Sequence, residues 1–301
     1  MKTGCMKKIA ILLALALVFL AGCTGRTDPP SNPAKPPAFT EKTFPRLDGS
    51  TANIPLAVEL AKLCLGLDDL AAEEFITFNG TSRAYENLAD GDCDLLLVYE
   101  ASEETKEKLA SMGADFEYFP IGKDALVFIV NEDNPVENLT SQQLVDIYTG
   151  RVTNWSEVGG EDIDIAAFQR NATSGSQAMM EKLVMKGTPM MEAPAEFTPG
   201  EMGGLIDGLA EYNNSGAAIG YSVFYYASLM YSRPGLRFIG VDGAMPSDRT
   251  IASGAYPFTN EFYAVLRADE PEGSAARRLA EWLRGGEGKE LIERCGYVAG
   301  E

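Results

Sequence analysis

Three short stretches carry the residues best suited to hold an anion: Gly49-Ser50-Thr51, Gly80-Thr81-Ser82 and Arg170-Asn171-Ala172-Thr173-Ser174-Gly175-Ser176. Each joins hydroxyl donors to the predicted start of a helix. There the first backbone N–H groups lack intrahelical acceptors, and the aligned peptide dipoles sum to roughly +0.5 of an elementary charge. Arg170 adds a permanent cation whose planar fork of donors matches two oxyanion oxygens at once. Singly, each turn reads first as an ordinary Ser/Thr helix cap. Together they would surround a tetrahedral oxyanion with many donors while using one full positive charge. The chemistry on offer is binding.

Composition removes most competing classes. The chain has 301 residues and no histidine, which excludes Ser-His-Asp and Cys-His catalysis and removes the commonest transition-metal ligand. Apart from Cys5 and Cys23 the cysteines are Cys64, Cys93 and Cys295, an odd number at spacings that match no metal motif or disulfide framework. Buried free thiols are the expectation. No carboxylates fall at metal-site spacing, so neither an enzyme nor a metal or other cofactor is expected. Acids outnumber Lys and Arg by 44 to 25, which leaves no general basic surface for nucleic acid. An acidic exterior does not veto a local anion site. Charges more than ~8–10 Å away across water are largely screened, whereas buried donors in contact are not.

The elements that must position these turns follow a secretory leader. Lys7 and Lys8 precede the apolar run Ile9–Leu20, shorter than the roughly 20 residues that a membrane span needs. The run ends in Leu20-Ala21-Gly22-Cys23, which resembles the lipobox of bacterial lipoproteins, where the cysteine thiol takes a diacylglyceryl group. The expectation is a signal peptide over 1–22, lipidation at Cys23 and localisation on the outer face of the cell membrane. Removing 1–22 takes away three lysines and no acid, moving the formal charge from −19 to −22. A tether over 23–40 follows, kept extended by Pro29, Pro30, Pro33, Pro36 and Pro37.

Beyond the tether, apolar spacing predicts helices over 54–67, 82–88, 141–148, 176–185, 205–212, 274–284 and 289–295. Strands are predicted over 75–78, 94–99, 125–131, 163–168, 217–221 and 262–266. Alternation of the two types predicts an α/β class with mainly parallel sheets. In such sheets ligands sit beyond the carboxyl ends of strands, where loops enter helices.

One stretch is more particular: Ile147-Tyr-Thr-Gly-Arg-Val-Thr-Asn-Trp-Ser-Glu-Val-Gly-Gly160. It resembles the phosphate-binding proteins of phosphate ABC transporters. Asp48-Gly-Ser-Thr51, Gly91-Asp-Cys-Asp94, the stretch from Arg170 to Ser176, Gly216-Ala-Ala-Ile-Gly-Tyr221 and Gly254-Ala-Tyr-Pro-Phe-Thr259 follow the family's order, so the likeness spans about residues 45 to 300. The resemblance implies a two-lobed periplasmic-binding-protein-like fold, type 2, with two hinge strands near 125–131 and 257–266. It places 41–124 plus 258–301 in one lobe and 125–257 in the other. It implies Ser50, Thr51, Thr81, Ser82, Arg170, Ser174, Gly175 and Ser176 at the ligand, with Glu100 where the family has an aspartate that accepts the proton of hydrogen phosphate. Ala172 replaces an acid that usually orients the arginine. Arg83 is either a second cation at the ligand or a solvent-facing helix residue. The implied role is a monomeric lipid-anchored receptor that passes phosphate to an ABC permease. Two alternatives stay open: a receptor for another oxyanion or a phosphorylated small molecule, and a surface sensor or scaffold lipoprotein without transport.

Overall fold

The computed structural model describes residues 36–212 and 215–300. The signal peptide, Cys23 and most of the expected tether lie outside the described residues. Among the described residues no helix is long and apolar enough to cross a membrane.

In chain order the elements are β1 (Leu47–Gly49), α1 (Ile54–Leu65), α2 (Asp69–Phe75), α3 (Thr81–Asp90), β2 (Leu95–Val98), α4 (Glu103–Ser111), β3 (Phe116–Asn131), β4 (Asn138–Leu139), α5 (Ser141–Tyr148), β5 (Ala166–Ala167), α6 (Gly175–Met179), α7 (Met202–Glu211), β6 (Ala218–Val223), β7 (Leu236–Val241), α8 (Asp248–Ala252), β8 (Thr259–Arg267), α9 (Ala275–Arg284), α10 (Gly286–Arg294) and β9 (Val298–Ala299). The strands run β1-β2-β8-β3-β6-β5, with β7 and β9 also on β3 and β4 on β7. The fold is a two-lobed mixed α/β architecture.

The expectation of mainly parallel sheets is corrected. Only β1–β2, β4–β7 and β5–β6 pair in parallel, whereas β3 pairs antiparallel with β6, β7, β8 and β9. A chain that leaves one half of the molecule and returns must cross twice in opposite directions. The two crossing strands are therefore antiparallel. Residues from Phe116 to Ala125 of β3 pair with β8, and from Leu126 onward the same strand pairs with β6 and β7.

The apolar run of β2 is buried on both faces, as continuous rather than alternating hydrophobicity requires. Leu95 and Leu97 belong to the same buried cluster as Leu56 and Leu60 of α1, while Leu96 and Val98 belong to a second cluster with Tyr85, Leu88 and Leu109. Thr140 and Gln143 form a reciprocal capping box at α5. The helix expected over 176–185 is α-helical only to Met179 and π-helical over Met180–Met185, and Lys186 N–H closes onto Glu181 O at 2.8 Å. Trp155 is fully buried and donates from Nε1 to Ala217 O at 2.9 Å. Trp282 is half-buried. Cys64, Cys93 and Cys295 are free thiols, each pushed up to about 12 by burial.

Two expected strands differ. The segment after Phe75 pairs with no strand, because α2 runs through Phe75 and Asn79 is then held by a side chain, Asp48. Of 163–168, only Ala166–Ala167 joins the sheet. Ile163 and Ile165 bond instead to the turn at Thr153 and Trp155.

Asp124, on the crossing strand, is buried and accepts from Tyr99 Oη and Ala125 N at 2.7 Å and from Tyr225 N at 3.2 Å. Burial pushes its carboxyl up to about 6, against the downward pull of those donors. The folded state thus holds this proton more tightly than an unfolded carboxyl at about 3.8. The group favours folding most below that value, and its contribution is lost as pH rises through about 6. Against Asp124→Asn, the wild type is expected to gain relative melting temperature between about pH 7 and about pH 5. A flat or falling difference in thermal melts would exclude this.

Candidate functional site

The first turn is set by close approach of backbone. A Cβ at Gly49 would lie 2.1 Å from Leu97 O, so only glycine lets β1 run this near β2. Ser50 N–H bonds Leu97 O at 3.0 Å, and a single 3-10 turn from Thr51 leads into α1. Gly80, at φ 83, turns the chain into α3, a backbone angle that only glycine adopts without strain. Asp48 ties the two turns together. Its Oδ1 accepts Gly49 N at 2.7 Å and Asn79 N at 2.8 Å. Its Oδ2 accepts Asn79 Nδ2 at 2.8 Å and Asn87 Nδ2 at 2.7 Å. No side-chain role was assigned to Asp48 from the sequence, because its partners lie about thirty and forty residues away and leave no local spacing signal.

The third turn meets the second directly. A Cβ at Gly175 would stand 2.6 Å from Thr81 Oγ1. Ser82 Oγ donates to Thr173 O at 2.8 Å and accepts from Thr105 Oγ1 at 2.7 Å. Arg170 is 7% exposed. Its backbone N–H bonds Tyr221 Oη at 3.1 Å, and its Nη2 bonds Gly200 O at 3.1 Å. Its Nε and Nη1 are buried with no acceptor among the described residues. Burial pulls this guanidinium below the usual arginine range, offset by Tyr221, Tyr226 and Glu201.

Ser50, Thr51, Thr81, Ser82, Arg170, Ser174 and Gly175 line one cleft of about 1000 Å³. Ser176 stands behind that wall, fully buried, with its Oγ 2.9 Å from Ser174 Oγ. Arg83 lines the same cleft but gives Nη1 to Glu86 Oε2 at 2.9 Å. Glu100 is not brought to it. Its carboxylate lies 2.6 Å from Lys182 Nζ and lines a separate cavity of about 530 Å³. Lys182 holds it there through a charge-assisted contact. Among the other lining carboxylates, Glu86 is held by Arg83 and Lys108, and Asp207 by Tyr231 and Arg233. Sequence reasoning passed over Asn79 and the far wall, formed by Gly200, Glu201, Gly203 and Gly204 with Tyr226 and Tyr231. The glycine-rich run after Pro199 was the available signal.

With this arrangement, donors from three turns and one guanidinium without a carboxylate partner face a common space. Residues 49–285 match the family model described as PBP superfamily domain. A protein named Phosphate-binding protein PstS from Bacillus subtilis is 22% identical over 293 residues, covering 96% of this chain and 92% of that relative. Another of the same name, from Borreliella burgdorferi, is 25% identical over 184 residues, covering 58% of this chain, which spans 63% of that relative's length. The crystal structure of an ABC-type phosphate transport receptor from Vibrio cholerae superposes with a TM-score of 0.61 at 24% identity, covering 84% of this chain and 98% of that one. At these identities the likeness to the solved structure speaks for the fold.

The contact between Gly175 and Thr81 leaves no room for a methyl group. Gly175→Ala is expected to force Thr81 aside and to cost about 1–3 kcal/mol, as overpacking of a tight wall does. Chemical denaturation checks it. A variant as stable as the wild type would show that the two turns do not abut in solution.

Proposed function

We propose that this chain, which belongs to the PBP superfamily, is an extracytoplasmic receptor that captures inorganic phosphate for an ABC transporter. The observation that carries the reading is Arg170, almost fully buried with two guanidinium donors unused. An uncompensated buried charge costs several kcal/mol, and an oxyanion in the cleft would supply the missing partner. The N-termini of α1 and α3 and the turn at Ser174 add neutral donors around the same space. The relatives named Phosphate-binding protein PstS support phosphate as the anion.

In this reading, 41–124 with 258–301 form one lobe and 125–257 the other. The handover of β3 from β8 to β6 between Ala125 and Leu126 supports that division. Ligand contacts to both lobes favour the closed state, and release to a membrane permease follows reopening. The receptor acts as a monomer without a cofactor, tethered by lipid on Cys23. Glu100, paired to Lys182 in a separate cavity, favours a second reading: a ligand that needs no carboxylate to take its proton, such as another oxyanion or a phosphorylated small molecule.

Calorimetric titration with orthophosphate tests both. Arg170→Ala is expected to weaken binding by at least about thirtyfold, since removing one side of a buried charged contact costs about 2–5 kcal/mol. Retention within about threefold would move the site elsewhere. Displacement of phosphate by sulfate, molybdate or phosphate esters at equal concentration would favour the second reading. For the anchor, Cys23→Ser is expected to shift the protein from the membrane fraction to the medium or periplasm and to abolish lipid labelling. Unchanged fractionation and labelling would exclude lipidation at Cys23.

A further inference from the structure

We infer that Asp48 is a positioning residue for the anion cleft: one buried carboxylate holds the first and second binding turns at a set distance from each other. The inference rests on the reading of the cleft as a phosphate site and deepens it.

Asp48 is 2% exposed and does not line the cleft, so it does not touch the ligand. Its four hydrogen bonds, all between 2.7 and 2.8 Å, instead reach three separate places. Gly49 N belongs to the first turn, Asn79 N and Nδ2 to the approach of the second, and Asn87 Nδ2 to the body of α3. Around this carboxylate the backbone adds little: Gly80 N–H meets Gly49 O at 3.1 Å, and the chain from Ile76 to Gly80 pairs with no strand. Sheet ladder would ordinarily register two such turns. Here a side chain does, because the segment before α3 has no ladder of its own.

The functional consequence follows from how neutral donors hold an anion. Ser50 and Thr51 stand on one side of the Asp48 clamp and Thr81 on the other. An oxyanion bound between them feels full benefit only if both sets of donors stay within hydrogen-bond distance, about 2.7–3.2 Å. A site whose supporting contacts are loosened by about 1 Å loses much of its affinity even though every ligand-touching residue is still present.

The test compares Asp48→Ala and Asn87→Ala with wild type, reading orthophosphate affinity by calorimetry and amide hydrogen exchange at Gly49, Asn79 and Gly80. Asn87 lies outside the cleft wall and removes one arm of the clamp, so it decides the matter if Asp48→Ala does not fold. A third variant, Ile292→Ala in α10, serves as the control for general destabilisation. Binding is measured where circular dichroism shows each variant fully folded. The expected result is a loss of phosphate affinity of about tenfold or more in the clamp variants, with faster exchange at those three amides. The Ile292 variant is expected to keep wild-type affinity within about twofold despite a lowered melting temperature. Clamp variants that bind phosphate within about twofold of wild type, or an affinity loss in the Ile292 variant as large as theirs, would overturn the inference. A wild type that binds no phosphate would sink the phosphate reading instead, and unchanged exchange in Asn87→Ala would then sink the clamp independently.

Discussion

One sixteen-residue strand, β3, carries the mechanical continuity of the molecule. Its first part is zipped to β8 from Phe116↔Arg267 to Ala125↔Thr259, and its last part is sandwiched between β6 and β7. The residues from Ala125 to Val130 are buried throughout, so this strand cannot bend toward solvent without exposing core. The binding turns hang from the ends of shorter elements on either side of it. Their mutual placement rests on direct contacts: Asp48 links the first turn to the second, and Ser82 with Gly175 joins the second to the third.

Electrostatics here is decided at short range. The chain carries 44 acids, yet two of the three acids lining the cleft are committed to cations or phenols: Glu86 to Arg83 and Lys108, and Asp207 to Arg233 and Tyr231. Arg170 is the exception among the lining cations, with Gly200 O its side-chain acceptor and two donors left over. Net charge describes how the surface meets solvent; a desolvated contact is governed by what lies within a few ångströms.

What could be read in the sequence was what depends on neighbours along the chain. Helix starts after Ser50, Gly80 and Ser174 follow from glycines, small hydroxyl residues and periodicity, although none of the three is closed by a side-chain cap, and all three turns fall on one cleft. Paired runs such as Ala125–Val130 follow from unbroken apolarity. The stretch most diagnostic of family, from Ile147 to Gly160, is structural: Gly160 packs on Trp155, a Cβ there would stand 2.8 Å from the Trp155 Cβ, and none of these residues lines the cleft. What could not be read depends on partners far away. The first half of β3, the pairing of Glu100 with Lys182 and the bonds of Asp48 are set by tertiary placement, which overrides local pattern.

A hydroxyl owns a single hydrogen, and that of Ser82 is directed at the Thr173 carbonyl. That leaves the amide groups opening α3, not the serine proton, to face the cleft at this point. The stitch across the cleft and the grip on the solute draw on different atoms. In the proposed reading, closing the cleft and holding the anion then do not compete for the same donor.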